Sequence, residues 1–193
     1  MGWIDENGDF ISISQKQVPG TSERTGDYEV LHNCTLAEHR NNDGDSFDVI
    51  HNGKKHTFRL YFVDAPEKRL HQYNGDRISE QAAYFGITDV AAIDTGQAAK
   101  DYTIKVLQRR PFDVSTKWEA VFGSERVYAF VEFREADNAE PRFLSQELVH
   151  LGLARIHTKG ADLPNGTHWK KHREYLQGLE AKARSAKIGA WSR

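Results

Sequence analysis

Apolar residues alternate along the front of the chain and recur at helical spacing along its back. Three runs, residues 28–40, Ser46 to His51 and Lys55 to Val63, are rich in β-branched and aromatic side chains and read as strands. Asn52-Gly53 joins the second run to the third as a two-residue hairpin, which sets His51 opposite Lys54 and Ser46 opposite Arg59. In the third run Phe58, Leu60 and Phe62 alternate with Arg59, Tyr61 and Val63, so Arg59 lies off the Phe58–Phe62 face, and Pro66 ends the strand. Residues 79–108 have helical spacing, in two pieces that break near Asp94-Thr95-Gly96. Two further strands, Phe112–Phe122 and Arg126–Phe133, meet at a Gly123-Ser124 turn. An amphipathic helix follows over residues 142–152, and a last one runs from an N-cap at Thr167 to about Ile188. Trp169, Tyr175, Leu176 and Leu179 form its expected buried stripe.

Residues 1–26, with turn formers at Asn7-Gly8 and Pro19-Gly20-Thr21, read as an extension that holds one short strand at Phe10-Ile11-Ser12-Ile13. Residues 27–193 read as a single domain of the α+β class. Five strands and about three helices suit a five-stranded antiparallel Greek-key barrel, the oligonucleotide/oligosaccharide-binding (OB) fold, in an order that other α+β folds share.

Composition narrows the class. A chain of 193 residues fits one domain, and 38% apolar with 28% charged residues describes a globular protein. No apolar stretch approaches membrane-spanning length, and the acidic start lacks the basic and apolar regions of a signal peptide. One cysteine, Cys34, excludes an internal disulfide and is expected as a buried thiol. The net charge of −2 gives no global attraction to nucleic acid, but the first hundred residues are net acidic and the rest net basic. That division suits a cation site beside a polyanion groove.

The candidate chemistry lies in two short segments. Asn42-Asp43-Gly44-Asp45-Ser46 places hard oxygen ligands at the mouth of a strand, and Val63-Asp64-Ala65-Pro66-Glu67 adds two carboxylates at a proline-fixed strand end. The first is not an EF-hand, because Ser46 and Asn52 stand where that loop needs Gly and Glu. Arg59, inside a strand, must reach a polar pocket, a carboxylate or solvent. His168 and His172 have helical i,i+4 spacing without the Glu of a metalloprotease helix, and read as a basic surface face.

Asp43-Gly44-Asp45-Ser46, Thr57-Phe58-Arg59-Leu60, Val63-Asp64-Ala65-Pro66-Glu67, Arg126-Val127-Tyr128-Ala129 and Ile188-Gly189-Ala190-Trp191-Ser192, in that order, resemble the staphylococcal nuclease (thermonuclease) family. The resemblance implies a five-stranded OB barrel and a Ca²⁺-dependent nuclease hydrolysing phosphodiester bonds of DNA and/or RNA. It further implies Asp45, Asp64 and the Ala65 carbonyl as metal ligands, Glu67 as general base, and Arg59 and Arg126 as phosphate-holding catalytic groups. The chain is expected to work as a monomer, with no membrane partner. The alternative is a catalytically inactive OB-fold module that binds nucleic acid or protein. The chain departs from the family in three respects: it lacks strong basicity, Glu125 precedes Arg126, and His157-Thr158-Lys159 stand where the family offers tyrosines.

Overall fold

A computed structural model describes residues 2–4, 10–12 and 19–192. Its strands are β1 (Gly2–Ile4), β2 (Phe10–Ser12), β3 (Ser22–Thr25), β4 (Tyr28–Leu36), β5 (Ser46–His51), β6 (Lys54–Leu60), β7 (Val63–Asp64), β8 (Phe112–Ala120), β9 (Val127–Phe133), β10 (Arg142–Phe143) and β11 (Arg155–Ile156). The helices are α1 (Gly75–Phe85), α2 (Asp89–Leu107), α3 (Leu144–His150) and α4 (Trp169–Ser185), followed by a 3-10 turn over Gly189–Ser192. The strand expected at residues 10–13 is β2, paired with β1; Ile13 and the Asn7-Gly8 turn lie outside the described residues. β3 pairs with β4 at the margin of the main sheet.

Five strands close a barrel in the circular order β4, β5, β6, β9, β8. Every neighbouring pair is antiparallel except β6 and β9, which run parallel. This corrects the all-antiparallel expectation, and the reason is arithmetic: directions cannot alternate around a ring with an odd number of members. The hairpin register is the one read from Asn52-Gly53, with His51 opposite Lys54 and Ser46 opposite Arg59. Phe47 and Val49 of β5, Phe58 and Leu60 of β6, Val114 of β8, and Ala129 and Val131 of β9 fill one core cluster with Leu144, Leu148 and Leu176 from the helices. Each buried Val, Leu or Phe side chain there contributes about 1.5–3 kcal/mol of transfer free energy. Cys34 is buried in the same core, and burial pushes its thiol up to about 12.

Among the described residues the α-helices number four rather than about three. The first two are separated at Gly86-Ile87-Thr88, where Gly86 closes α1 in the left-handed region (φ 72°) and the Thr88 hydroxyl accepts from Ala91 N to start α2. Gly96, expected near a break, lies inside α2 instead. On α4 the inward row is His172, Leu176 and Ala183, with Leu179 half-buried against the core. Tyr175, expected to bury, flanks this row and is 53% exposed; Trp169, also expected to bury, shares the row's spacing but is the first residue of α4 and is 37% exposed. His172 is correspondingly a core residue, ringed by Phe62, Phe130 and Phe143, and not part of a basic surface face. None of the described helices is long and apolar enough to cross a membrane.

Candidate active site

The Asp43-Gly44-Asp45 turn is pinned to the start of the β5–β6 hairpin by two backbone bonds, Asp43 N to Ser46 O (2.7 Å) and Leu60 N to Asp45 O (2.9 Å). A flat hairpin would leave Asp45 and Arg59 on different faces, with Asp64 further along. Beyond Arg59 the chain turns at Phe62, which adopts φ 70°, a conformation costly for a bulky side chain. The turn carries β7 out of the barrel to pair with β11, setting Asp64 opposite Arg155. Asp45 and Asp64 then meet one guanidinium: Arg59 Nη1 lies 3.1 Å from Asp45 Oδ1 and Nη2 lies 2.6 Å from Asp64 Oδ1. Asp45 Oδ2 also accepts from Ala65 N at 2.6 Å, tying the two carboxylate-bearing segments together.

Arg126 stands at the entrance to β9. Its backbone N and Nε both donate to Ser124 Oγ, and its Nη1 reaches Ser46 Oγ at 3.1 Å. Arg59 Nη1 donates to the same hydroxyl at 3.4 Å. Ser46 therefore brings two guanidiniums, 67 residues apart in sequence, to one point.

Three residues that sequence reasoning passed over complete the arrangement. Gln81, buried on α1, donates to Asp64 Oδ2 and the Ala65 carbonyl and accepts from Glu67 N, so one amide holds all three positions of the loop. Arg77, one turn earlier on α1, binds Glu67 Oε1 at 2.7 Å and also Asp64 Oδ1. Arg155 Nε meets Asp64 Oδ2 at 2.8 Å from a fully buried position, and its Nη1 bonds Glu80. Spacing of 77 and 81 on one helix face was the only local signal for the first two; β11 offered none for Arg155.

These contacts set opposite electrostatics on the two aspartates. Burial raises the Asp45 carboxyl, aided by Asp64 and Asp43 and opposed by Arg59, so that it stands at about 6. Burial also acts on Asp64, but Arg77, Arg59, Gln81 and Arg155 outweigh it and hold its carboxyl at about 2. Among the described residues no three His, Cys, Asp or Glu side chains converge closely enough to hold an ion as they stand. The donors nevertheless fit a hard cation in kind. Asp45, Asp64 and the Ala65 carbonyl present oxygen ligands only, and both carboxylates already gather around one positive charge.

α2 forms the wall behind both loops. An added Cβ at Gly96 would lie 2.3 Å from Pro66 O, and one at Gly44 would lie 2.7 Å from Ala99 Cβ. Thr103 Oγ1 donates to Gly44 O at 2.8 Å. Small residues on one helix face thus fix the spacing of the Asp45 and Glu67 turns. In front, the site opens on a groove of about 850 Å³ lined by Asp45, Arg59, Asp64, Ala65, Glu67 and Arg126 among others. His157 and Tyr128 also line it, and Phe122 at the tip of the β8–β9 loop is fully exposed.

The structure thus brings together Asp45, Arg59, Asp64, Ala65, Glu67 and Arg126. A family model described as staphylococcal nuclease homologue matches residues 57–193, a stretch that holds every one of them except Asp45. Asp45 joins the set through its contacts with Arg59 and Ala65. With that match covering well over half of its length, the chain belongs to the staphylococcal nuclease family.

Proposed function

We propose that this protein is a Ca²⁺-dependent nuclease that hydrolyses phosphodiester bonds of DNA and/or RNA. The observation that carries the reading is the convergence of Arg59 and Arg126 on Ser46 Oγ, beside a carboxylate cluster and at the floor of one groove. A phosphodiester resists attack because it is anionic, and paired guanidiniums offer fixed, always-charged donors where negative charge builds. Arg59 is held by Asp45 and Asp64, so its fork is oriented before substrate arrives. Glu67 would take the proton of the attacking water. Arg77 occupies its Oε1, leaving Oε2 for that transfer. Asp45, Asp64 and the Ala65 carbonyl would hold Ca²⁺, which supplies Lewis acidity and a template for the phosphate. Tyr128 on the groove wall, or the exposed Phe122 of the β8–β9 loop, would supply base stacking, at about 1–3 kcal/mol per stacked base.

A second reading, a binding barrel without turnover, draws support from the saturation of Asp64 by three arginines and Gln81. Single-stranded DNA and RNA incubated with the protein in Ca²⁺ or in chelator separate the two. Cleavage only in Ca²⁺ supports the nuclease, cleavage in both conditions removes the metal from it, and binding without cleavage in either supports the second reading. Glu67→Gln should keep substrate binding and lose most turnover; unchanged turnover would remove Glu67 from its role.

A further inference from the structure

The groove extends well past the two arginines. On β6, Lys55, Thr57 and Arg59 alternate onto one face, and all three line the groove with Asp48 and Ser46 of β5 and His39. Lys55 lies two alternations from Arg59, roughly 13 Å at strand rise, too far to share the phosphate that Arg59 would hold. Its position is built, not incidental. Asp48, 4% exposed, accepts from Thr57 Oγ1 at 2.6 Å and from Lys55 Nζ at 3.0 Å, and His39 Nδ1 lies 3.3 Å from the same carboxylate. Asn42 Oδ1 accepts from Asp48 N, which links this anchor to the loop that carries Asp45.

We propose that Lys55, oriented by Asp48 and flanked by His39, is a second phosphate subsite that receives a phosphodiester further along the same strand. The inference deepens the nuclease reading by giving the substrate a length: a polynucleotide laid along β6, with one phosphate at Arg59 and Arg126 and another at Lys55. The chemistry supports a phosphate and not a second carboxylate-seeking cation. Lys55 is more than half exposed and spends one of its three N–H donors on Asp48, so two remain for phosphate oxygens. The Asp48 carboxylate is buried and bonded through both oxygens, so it presents little negative surface to an incoming strand. Burial pulls its carboxyl up, but Thr57, Lys55 and His39 win and keep it below its usual range.

The test uses a labelled single-stranded octanucleotide, in chelator so that nothing is cut, and reads affinity by fluorescence anisotropy from low to moderate salt. Each phosphate contact on a single strand contributes about 0.7 to the slope of log K against log[salt]. Lys55→Gln should lower that slope by about 0.7 and weaken octanucleotide binding several-fold. The affinity for a mononucleotide, which cannot reach from Arg59 to Lys55, should change much less. Lys182→Gln, on α4 and away from the groove, serves as the charge control and should leave the slope unaltered. A slope equal to wild type for Lys55→Gln, an equal drop for Lys182→Gln, or no octanucleotide binding by the wild-type protein overturns the subsite. Because the readout is binding, a protein that never cleaves can still show the drop; that outcome would keep the subsite and sink the nuclease.

Discussion

Replacing Gly96 by alanine tests whether the back of the site sets its geometry. The substitution adds one methyl group in the middle of α2, where alanine's helix propensity alone would favour the variant by about 1 kcal/mol. Tertiary contact reverses the sign. The new Cβ would lie 2.3 Å from Pro66 O and 2.7 Å from both Glu67 C and O, against ordinary contacts that begin near 3.4 Å. The atoms it meets are backbone, and Gln81 Oε1 holds Glu67 N at 2.9 Å, so the loop has no side chain to swing aside. Helix and loop must separate by about 1 Å, with an overpacking cost of about 1–3 kcal/mol. A shift of that size at a reacting group costs on the order of 10²-fold in rate. Urea denaturation and single-turnover cleavage of a single-stranded oligonucleotide read the two effects. Gly178→Ala on α4, where a Cβ meets nothing within 4 Å, is the matched control, and should gain about 0.5–1 kcal/mol with no change in rate. Gly96→Ala behaving like Gly178→Ala, more stable and equally fast, would refute the account of α2 as a spacer.

Arg155→Met should destabilise the fold by about 3–5 kcal/mol in urea denaturation, since it strips a buried partner from Asp64 while leaving the carboxylate inside; a loss below about 1 kcal/mol would show that Arg59, Arg77 and Gln81 suffice. His172 predicts acid sensitivity: burial among aromatic rings lowers its imidazole to about 4, against 6.5 when unfolded. The unfolded chain therefore takes up a proton that the folded one refuses, and stability falls as pH drops from 6.5 to about 4, by a total of roughly 3 kcal/mol. His172→Phe should flatten the dependence of the melting temperature on pH across that window relative to wild type, whereas parallel curves would assign acid sensitivity elsewhere.

The elements that were legible in the chain are those whose signals are local. Asn52-Gly53 fixed a hairpin register that the fold reproduces at both ends, because a two-residue turn leaves no freedom to slip. Asp45, Arg59, Asp64 and Glu67 stood out because each lies in a contiguous segment. What escaped was set by tertiary contact. Gly96 has the composition of a helix break, yet its lack of a side chain serves a loop thirty residues upstream. Tyr175 looks like a core residue by type, but α4 is rotated to bury His172, a residue whose polarity argues for the surface, while Trp169 keeps the inward spacing at the exposed first position of the helix. Arg155 and Arg77 reach Asp64 across 91 and 13 residues, and no spacing rule ties a strand-end arginine to a distant carboxylate. Even the parallel β6–β9 pair follows from closing the ring and not from either strand's own pattern.

The central claim is that Arg59 and Arg126 act as one unit on one phosphate. Single-turnover cleavage of a single-stranded oligonucleotide in Ca²⁺ by wild type, Arg59→Gln, Arg126→Gln and the double variant tests it most directly. Each single substitution should slow cleavage on the order of 10²–10³-fold, and the double variant should be little slower than the worse single one, as expected for groups that share a reacting centre. Losses that multiply in the double variant, or either single variant cleaving at the wild-type rate, would contradict the account.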